Sequence, residues 1–520
     1  MPPLPLTGRA LTIDHVIEVA RGRREVVLDQ AAAERMRASR AVIEGLVAAG
    51  TTVYGVTTGF GDLANVRIDP GETAELQRNL VRSHAAGVGP PLADEVVRAM
   101  LLLRANALAI GLSGVRVEVV ELLIGMLNRT VHPVIPSRGS LGASGDLAPL
   151  AHLALVVIGE GEATVDAAGP GSGARALERA RLSPLVLEAK EGLALLNGTQ
   201  LMAGIGALAH HDALRLALSA DVIGAMSLEA MMGTGAAFDE RLIAARPHPG
   251  QVASAAHLRA LLADSEIWAT HRSDTEHQVQ DAYSLRCMPQ VHGAARDALA
   301  ELERVLTIEL NSATDNPLVF PSGDVVSGGN FHGEPLALVL DHASVAVAEL
   351  ASISERRTAR LVDASLSGGL PAFLAERPGI QSGLMIAHYT AAALVNELQT
   401  LVHPASADTI PTSANQEDHV SMGATSALHL REIVDRTEHV LAVESLCAAQ
   451  GLDFRSPLRP GAGVATAHAA IRHRVPHLSD DRPPAPDIVA LRALVHAGDL
   501  LANGATQRAM VGPSDGATDA

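Results

Sequence analysis

The segment 335–363 contains no glycine or proline after its first residue, Pro335. Proline breaks a helix interior but is tolerated in the first turn, so Pro335 can begin a helix that continues to residue 363. At about 1.5 Å per residue, this helix would be on the order of 40 Å long. Similar uninterrupted Ala- and Leu-rich stretches cover residues 294–310, 383–402 and 424–450. Several long helices in succession predict a mainly α protein with a long-helix bundle.

The composition agrees with closely packed helices. Aromatic residues make up 2% of the chain and hydrophobic residues 48%, so the core must consist mostly of Ala, Leu, Val and Ile. The first hundred or so residues instead mix short helical and strand-like pieces with glycine turns, and Asp94 can cap the first longer helix. We therefore predict a smaller mixed N-terminal domain over residues 1–112 and a helical bundle domain over residues 113–520. The glycine-rich run 169–173 is predicted to be a surface loop.

Charge and hydropathy exclude several classes of protein. Lys and Arg number 40 against 58 Asp and Glu, a net charge of -18, and no basic cluster is present, which argues against nucleic-acid binding. No run reaches the roughly 18 apolar residues of a membrane span; the best window, 96–110, is interrupted by Arg98, Arg104 and Asn106. The N-terminus lacks the pattern of a signal peptide. A soluble, cytoplasmic protein is expected.

The cysteine and histidine patterns do not indicate a metal site. Cys287 and Cys447 stand in neither a CxxC nor a Cys/His ligand spacing, so we expect two reduced thiols. The one His-x-x-x-His, at His473 and His477, contains a proline that disfavours presentation of both rings from one helix. We therefore predict no required metal.

The most unusual stretch is Gly-Ser-Leu-Gly-Ala-Ser-Gly-Asp-Leu-Ala-Pro-Leu-Ala-His, residues 139–152. One interpretation is a tight glycine turn in which Asp146 caps the following helix. A serine-hydrolase nucleophile is disfavoured because Ser144 lacks the G-x-S-x-G elbow. A third interpretation is covalent: in a sharply bent Ala143-Ser144-Gly145, the glycine nitrogen can attack the alanine carbonyl carbon. Loss of two waters then gives a five-membered ring with an electrophilic methylidene carbon.

These residues resemble the signature of the aromatic amino acid lyases and aminomutases, and the resemblance extends from about residue 11 to residue 499. It implies that Ala143, Ser144 and Gly145 form a 4-methylidene-imidazol-5-one, with no external cofactor. It also implies a helical fold of the fumarase/aspartase-like type and a homotetramer in which three subunits contribute to each active site. The signature Gly-Ser-Ser-x-Met-Pro-x-Lys of the fumarase group itself is missing.

Other blocks carry the family's site residues, and each would be unremarkable alone. Tyr54, before a glycine-rich turn, matches the catalytic tyrosine that removes the β-proton. Arg286 matches the arginine that binds the substrate carboxylate, a task suited to a planar guanidinium. Asn197 matches an asparagine that hydrogen-bonds the cofactor or the substrate. The resemblance further assigns to the pocket Gln280, Tyr283 and Phe331.

Two positions bear on the substrate. The run Gln416-Glu417-Asp418-His419 resembles the histidine-specific members, whereas the phenylalanine and tyrosine members usually have Asn-Gln-Asp-Val-Val-Ser. The carboxylate of Glu417 can accept an imidazole N–H, and a phenyl ring offers it nothing. His84 also suits a polar ring but excludes little. The resemblance therefore implies conversion of L-histidine to trans-urocanate and ammonia.

Three alternatives stay open at the level of the sequence. Two share the electrophile: a tyrosine or phenylalanine ammonia-lyase, and a 2,3-aminomutase. The third is a catalytically inactive helical scaffold, against which the presence of Ser144, Tyr54 and Arg286 argues.

Overall fold

The computed structural model describes residues 1–53, 58, 70–165, 169–271 and 280–501, of which the side chains of Pro70 and His271 are excluded. Within these residues helices predominate and the strands are short. The mainly α fold class predicted from the sequence is confirmed.

The elements up to residue 179 alternate short strands with helices. They are β1 (Leu4–Leu6), α1 (Ile13–Ala20), β2 (Val26–Leu28), α2 (Gln30–Ala48), α3 (Thr73–His84), β3 (Val88–Pro91), α4 (Asp94–Ala109), α5 (Val117–Asn128), β4 (Val131–Pro133), β5 (Pro136–Arg138), α6 (Leu147–Val157), β6 (Glu162–Val165), β7 (Gly171–Ser172) and α7 (Gly173–Arg179).

The later elements are mostly helices. They are α8 (Glu191–Leu196), α9 (Gln200–Ala230), α10 (Glu240–Ala244), α11 (Pro249–Leu261), α12 (Glu266–His271), α13 (Tyr283–Arg286), α14 (Met288–Glu309), β8 (Leu318–Val319), β9 (Val325–Val326), α15 (Glu334–Val362), α16 (Met385–Leu401), α17 (Gly423–Asp453), α18 (Ala462–Arg474) and α19 (Ala485–Ala497).

The strands form four small sheets in the described part of the chain. β1 and β2 pair in parallel, whereas β3–β5, β4–β6–β7 and β8–β9 are antiparallel. The prediction of a surface loop over residues 169–173 was wrong in part. Gly171 pairs with Ala163 across β7 and β6, and α7 begins at Gly173. A strand of two residues is too short to leave a periodic pattern in a sequence, which explains the error.

The long helices agree with the uninterrupted stretches of the sequence. α15 spans Glu334–Val362 against the expected 335–363, and α14, α16 and α17 overlap the other three stretches. α4 begins at Asp94, but Ala93 stands at the N-cap position and no side chain makes a capping bond there, so the prediction that Asp94 caps this helix was wrong. Helices α4 and α9 are buried on nearly every side, so their Ala- and Leu-rich composition is that of core helices.

Polar residues inside α4 are buried rather than exposed. Arg98 donates to the backbone carbonyls of Val19 and Leu127, at 2.8 and 2.9 Å. Asn106 accepts from the backbone nitrogen of Gly8 at 3.0 Å. Backbone partners offset the cost of burying these groups. The same groups that interrupt the apolar window in the sequence therefore connect α4 to neighbouring segments.

The chain divides into two compact units. The first comprises residues 1–211, 302–341 and 404–428, and the second comprises residues 212–301, 342–403 and those from 429 onward. Each unit combines segments that are distant in sequence, and four of the five borders between the units fall inside helices, namely α9, α14, α15 and α17. The domain boundary after residue 112 stays a prediction.

One helix of the described residues, α15, is long and apolar enough to cross a membrane by length and composition. In its most apolar window, 56% of the residues are buried inside the protein. Long core helices of soluble proteins meet the same criteria, so this helix is weak evidence for a membrane span.

Candidate active site

The Ala143-Ser144-Gly145 turn lies between β5 and α6, in the first unit. Gly142 and Gly145 have φ values of +65° and +75°, which are left-handed conformations that favour glycine. Gly145 forms an isolated parallel bridge with Gly198. A Cβ atom on Gly145 would lie 2.7 Å from the Gly198 nitrogen and closer still to its carbonyl group. The backbone approach at this turn therefore requires glycine at position 145.

Asp146 connects this turn to the beginning of α9. Its Oδ2 accepts hydrogen bonds from the backbone nitrogens of Leu201 and Met202, at 2.8 and 3.1 Å. Its Oδ1 accepts from the Ser140 hydroxyl at 2.9 Å. Burial raises the pKa of Asp146 to about 7, although these hydrogen bonds oppose the shift. The interpretation of Asp146 as a cap of the following helix was wrong: it stands at the N-cap position of α6 but makes no side-chain capping bond there.

Glu417 lies beside the turn although it is distant in sequence. The Ser144 hydroxyl donates to Glu417 Oε1 at 3.3 Å, and the Thr412 hydroxyl donates to Oε2 at the same distance. The segment that carries Glu417 is attached to the turn through its backbone, because the Met422 nitrogen donates to the Leu141 carbonyl at 2.8 Å. Ser144, which the sequence predicts to form the electrophile, therefore lies beside Glu417, which the sequence predicts to recognise the substrate ring.

His84 ends α3 within electrostatic range of the same carboxylate. Its Nδ1 lies 2.9 Å from the Leu80 carbonyl oxygen. Burial lowers the pKa of His84, while the Leu80 carbonyl and the charge of Glu417 oppose that shift. His84 is therefore neutral near pH 7, and with Nδ1–H donated to Leu80 its Nε2 is an acceptor.

Asn197 precedes Gly198 and is buried behind the turn. Its side-chain amide donates to the Asn316 carbonyl at 3.0 Å, and its own carbonyl accepts from the guanidinium of Arg104. Arg104 is fully buried and also donates to Gln200 Oε1 at 2.9 Å. Burial lowers the pKa of Arg104 to about 10, with the charge of Asp315 opposing the shift, so the side chain stays cationic. A buried positive charge thus lies next to the Gly198 backbone.

Phe331 is half-buried, and the residues after it adjoin the turn. The Gly333 nitrogen donates to the Gly142 carbonyl at 3.3 Å. His332 Nε2 lies 3.1 Å from the His419 carbonyl oxygen, two residues after Glu417. The segment with Phe331 therefore contacts both the turn and the segment with Glu417.

Arg286, Tyr283 and Gln280 belong to the second unit. Arg286 ends the short helix α13, and its guanidinium carbon lies 4.7 Å from the centroid of the Tyr283 ring, a cation–π geometry. Gln280 is exposed just before this helix. The buried Nε of Arg286 has no hydrogen-bond partner among the described residues. The guanidinium is thus held by a ring and retains an N–H for a further acceptor.

A buried ion pair lies next to α13. Arg357 donates to both oxygens of Glu444, and each side chain is fully buried. Another nitrogen of the same guanidinium, Nη1, lies 3.4 Å from the Ser284 carbonyl oxygen in α13. The neighbouring carboxyl of Asp221 would have its pKa raised by burial, but Arg296 and His292 together hold it well below the usual range. The helix with Arg286 therefore packs on a paired, buried charge network.

Tyr54 lies outside the described residues. Among the described residues, no group of three or more His, Cys, Asp or Glu is arranged to hold a metal ion. The expectation that no metal is required stays a prediction.

The family model described as aromatic amino acid lyase matches residues 11–473. The chain belongs to the aromatic amino acid lyase family. A histidine ammonia-lyase of Anaeromyxobacter sp. (strain K) is 56% identical over 509 residues, which cover 96% of this chain and all of that relative. One from Deinococcus radiodurans is 56% identical over 95% of this chain and 94% of its own length.

Solved structures of aromatic amino acid lyases and aminomutases share the fold. Histidine ammonia-lyase from Trypanosoma cruzi has a TM-score of 0.89 at 43% identity, over 96% of this chain and 94% of its own. Tyrosine aminomutase from Streptomyces globisporus has a TM-score of 0.91 at 39% identity, over 96% and 97%. The family predicted from the sequence is thereby confirmed. The shared fold does not by itself select the substrate ring.

Two site residues of this lyase were missed or misinterpreted in the sequence. Thr412 was not singled out, although a hydroxyl residue five positions before Glu417 suits the closure of a tight loop. Asp146 was interpreted only as a cap of the helix that follows it. Its bonds to α9 involve residues more than fifty positions away, and local spacing carries no signal for such a contact.

Proposed function

We propose that the chain is an ammonia-lyase that converts L-histidine to trans-urocanate and ammonia. The observation that carries this proposal is the 3.3 Å contact between Ser144 Oγ and Glu417 Oε1. It supports a carboxylate beside the residue from which the electrophile would form. A carboxylate can accept an imidazole N–H and stabilise a cationic ring, whereas beside a phenyl ring its desolvation would not be offset.

The relatives support the same substrate. Eight curated relatives that match about 95–96% of the chain at 53–56% identity are named histidine ammonia-lyase. The tyrosine aminomutase structures are less similar, at 39% identity. A tyrosine or phenylalanine lyase and a 2,3-aminomutase are the alternatives that substrate assays distinguish.

We propose that Ala143, Ser144 and Gly145 cyclise to 4-methylidene-imidazol-5-one, with no external cofactor. The residues fit this group: Ala143 is small and buried, and Gly145 leaves its nitrogen unobstructed by a side chain. The positive φ of Gly145 bends the backbone as ring closure requires. The ring supplies a methylidene carbon that accepts the substrate amine and so makes it a better leaving group.

The remaining roles follow from residue chemistry. We propose that Tyr54 removes the β-proton as a general base and that Arg286 binds the substrate carboxylate. Glu417 accepts an N–H of the imidazole ring, and neutral His84 lines the ring side of the pocket. Further pocket residues hold the substrate or the ring in place: Asn197, Gln280, Tyr283 and Phe331. Orientation of both ends of the substrate reduces the entropic part of the barrier.

We propose a homotetramer with active sites shared between subunits. The surface of helix α16 supports an interface, because Ala387, Ala391 and Leu398 are its only buried residues. Ile386 and Tyr389 of this helix are 57% and 63% exposed. Large apolar side chains exposed on a helix in this way are typical of protein–protein contacts. Light scattering coupled to size exclusion should give the mass of four chains.

We also propose a cytoplasmic enzyme. Cys287 and Cys447 are both free, and burial raises the pKa of the Cys447 thiol. Free thiols are typical of reducing compartments.

The substrate assignment is tested with L-histidine, L-tyrosine and L-phenylalanine supplied separately. The expected result is urocanate and ammonia from L-histidine, with much slower formation of the acrylates from the other two. Deamination of L-tyrosine without deamination of L-histidine would contradict the assignment, as would a β-amino acid as the main product.

The electrophile is tested by intact-mass measurement. The wild-type chain should lack the mass of two water molecules, and Ser144→Ala should have its full mass and lose the activity. A wild type of full mass and undiminished activity would contradict the cyclisation.

A further inference from the structure

A closed loop presents Glu417. The Thr412 nitrogen donates to the Glu417 carbonyl at 2.9 Å, and the Glu417 nitrogen donates to the Thr412 carbonyl at 3.3 Å. The three residues after Thr412 all have positive φ, between 51° and 67°: Ser413, Ala414 and Asn415. Non-glycine residues in this conformation are costly, and three in succession are maintained only where the surrounding bonds hold them. The paired backbones of Thr412 and Glu417 supply such bonds.

Within the described residues, the carboxylate of Glu417 has two hydroxyl donors, one on each oxygen. Ser144 Oγ contacts Oε1 and Thr412 Oγ1 contacts Oε2, both at 3.3 Å. No Lys or Arg of the described residues pairs with this carboxylate. A neutral donor fixes an oxygen without cancelling the negative charge, so the charge stays available to a cationic or N–H-bearing ring.

The two donors differ in what happens on cyclisation. Ring formation removes Ser144 Oγ as water, so its hydrogen bond to Oε1 is lost. Thr412 is not altered by that reaction and keeps its bond to Oε2. In the cyclised enzyme Oε2 of Glu417 would therefore keep its hydrogen bond to Thr412. Oε1, which lies next to residue 144, would be available to accept a hydrogen bond from the substrate.

We propose that Thr412 is a positioning residue that orients Glu417 for the substrate imidazole. Its hydroxyl holds Oε2, which stops rotation of the carboxylate and directs Oε1 to the ring N–H. This inference rests on the proposed histidine-deaminating function and extends it to ring recognition by a residue that does not itself touch the substrate. Removal of the hydroxyl should weaken histidine binding while cyclisation proceeds normally.

The test compares Thr412→Val with Thr412→Ser. Valine has nearly the shape of threonine without the hydroxyl, and serine retains the hydroxyl. We expect Thr412→Val to raise KM for L-histidine about tenfold, the effect of losing one hydrogen bond to a charged group, with a smaller change in kcat. Thr412→Ser should stay close to the wild type. All these proteins should lack the mass of two waters.

A structural control comes from the same segment. The Thr409 hydroxyl accepts from the Val420 nitrogen at 2.9 Å and therefore holds the backbone rather than the carboxylate. Thr409→Val should lower Tm without the selective rise in KM. If Thr412→Val does not accumulate as folded protein, Thr412→Ala removes the same hydroxyl and is judged by the same measurements.

Each other outcome overturns the inference in an identifiable way. An unchanged KM in Thr412→Val, or equal losses in the valine and serine variants, rejects positioning by the hydroxyl. Retention of water mass in Thr412→Val assigns Thr412 to cyclisation instead. A wild type that cyclises but forms no urocanate rejects the proposed substrate and the inference together, and it is recognised before any variant is made.

Discussion

Asp146 Oδ2 accepts a hydrogen bond from the Leu201 nitrogen at 2.8 Å, so the residue that follows the Ala-Ser-Gly turn caps the first turn of α9. Asp146→Ala would leave the nitrogens of Leu201 and Met202 without this buried acceptor. We expect a loss of about 2–4 kcal/mol in the free energy of unfolding and incomplete loss of water from the turn. Chemical denaturation and intact mass measure the two effects.

A matched control for this variant is Glu118→Ala. Glu118 is an exposed acid in the first turn of α5 and can favour the helix N-terminus only through its charge. Its replacement should cost at most about 1 kcal/mol and leave cyclisation complete. Equal effects of the two substitutions would contradict the importance of the buried bonds.

The pH dependence of stability should contain a contribution from Asp146. Burial raises its pKa from 3.8 to about 7, so between these values the folded chain keeps a proton that the unfolded chain releases. The unfolded state binds fewer protons in this window, and the contribution to stability therefore falls as pH rises from about 4 to about 7. Subtracting the profile of Asp146→Asn from that of the wild type isolates the slope. A difference profile that is flat over this window would contradict the raised pKa.

The backbone approach between Gly145 and Gly198 can be tested by adding one methyl group. In Gly145→Ala the new Cβ would lie 2.7 Å from the Gly198 nitrogen, at a φ of +75°. We expect a loss of stability of at least about 1–3 kcal/mol and retention of the water mass. Gly171→Ala is the control, because a Cβ there has no atom within 4 Å. Similar Tm values and complete water loss in both variants would contradict the steric argument.

Much of the fold could be predicted because its signal is local. The absence of Gly and Pro over residues 335–363 predicts α15 to within one residue at each end. The two-residue strand β7 leaves no such pattern in the sequence. It exists because Gly171 pairs with Ala163 in β6, and the residues of β7 alone do not indicate that pairing. Arg98 and Arg104 show that the burial of a charged residue is also hard to predict from sequence. Charge in the sequence indicates exposure, but backbone and side-chain acceptors of other segments allow both to be buried.

In the candidate site, too, features that depend on adjacent residues could be predicted, and contacts between distant residues could not. The chemistry of Ala143-Ser144-Gly145 follows from three adjacent residues. The position of Glu417 beside Ser144 depends on how residues 404–428 pack within the first unit, and the sequence indicates it only through the family resemblance. Asp146 demonstrates the difference: the same carboxylate that local spacing assigns to α6 is bonded to α9.

The ring-recognition role of Glu417 predicts a charge effect. Glu417→Gln keeps the size of the side chain but removes the negative charge. We expect kcat/KM for L-histidine to fall about 10- to 100-fold, because hydrogen bonds to charged groups are stronger than neutral ones. The neighbouring Asp418 is exposed, so Asp418→Asn is the control and should leave kcat/KM within a factor of two or so. If both variants kept wild-type kinetics, recognition of the ring would have to reside elsewhere.

The guanidinium of Arg286 stacks on the Tyr283 ring at 4.7 Å and has a buried N–H to offer to a substrate carboxylate. Arg286→Lys keeps the charge but loses the planar pair of donors that fits a carboxylate. KM for L-histidine should rise about 10- to 100-fold. Histamine has the imidazole ring but no carboxylate, so its inhibition constant should be nearly the same in the wild type and Arg286→Lys.

Comparing KM for L-histidine with the inhibition constant of histamine distinguishes the loss of a carboxylate contact from a general disruption of the pocket. Arg377→Lys, an exposed arginine of the same unit, should change neither value. If Arg286→Lys weakened histamine and L-histidine equally, Arg286 would support the pocket as a whole and would not bind the carboxylate. A selective loss for L-histidine would assign the carboxylate end of the substrate to Arg286.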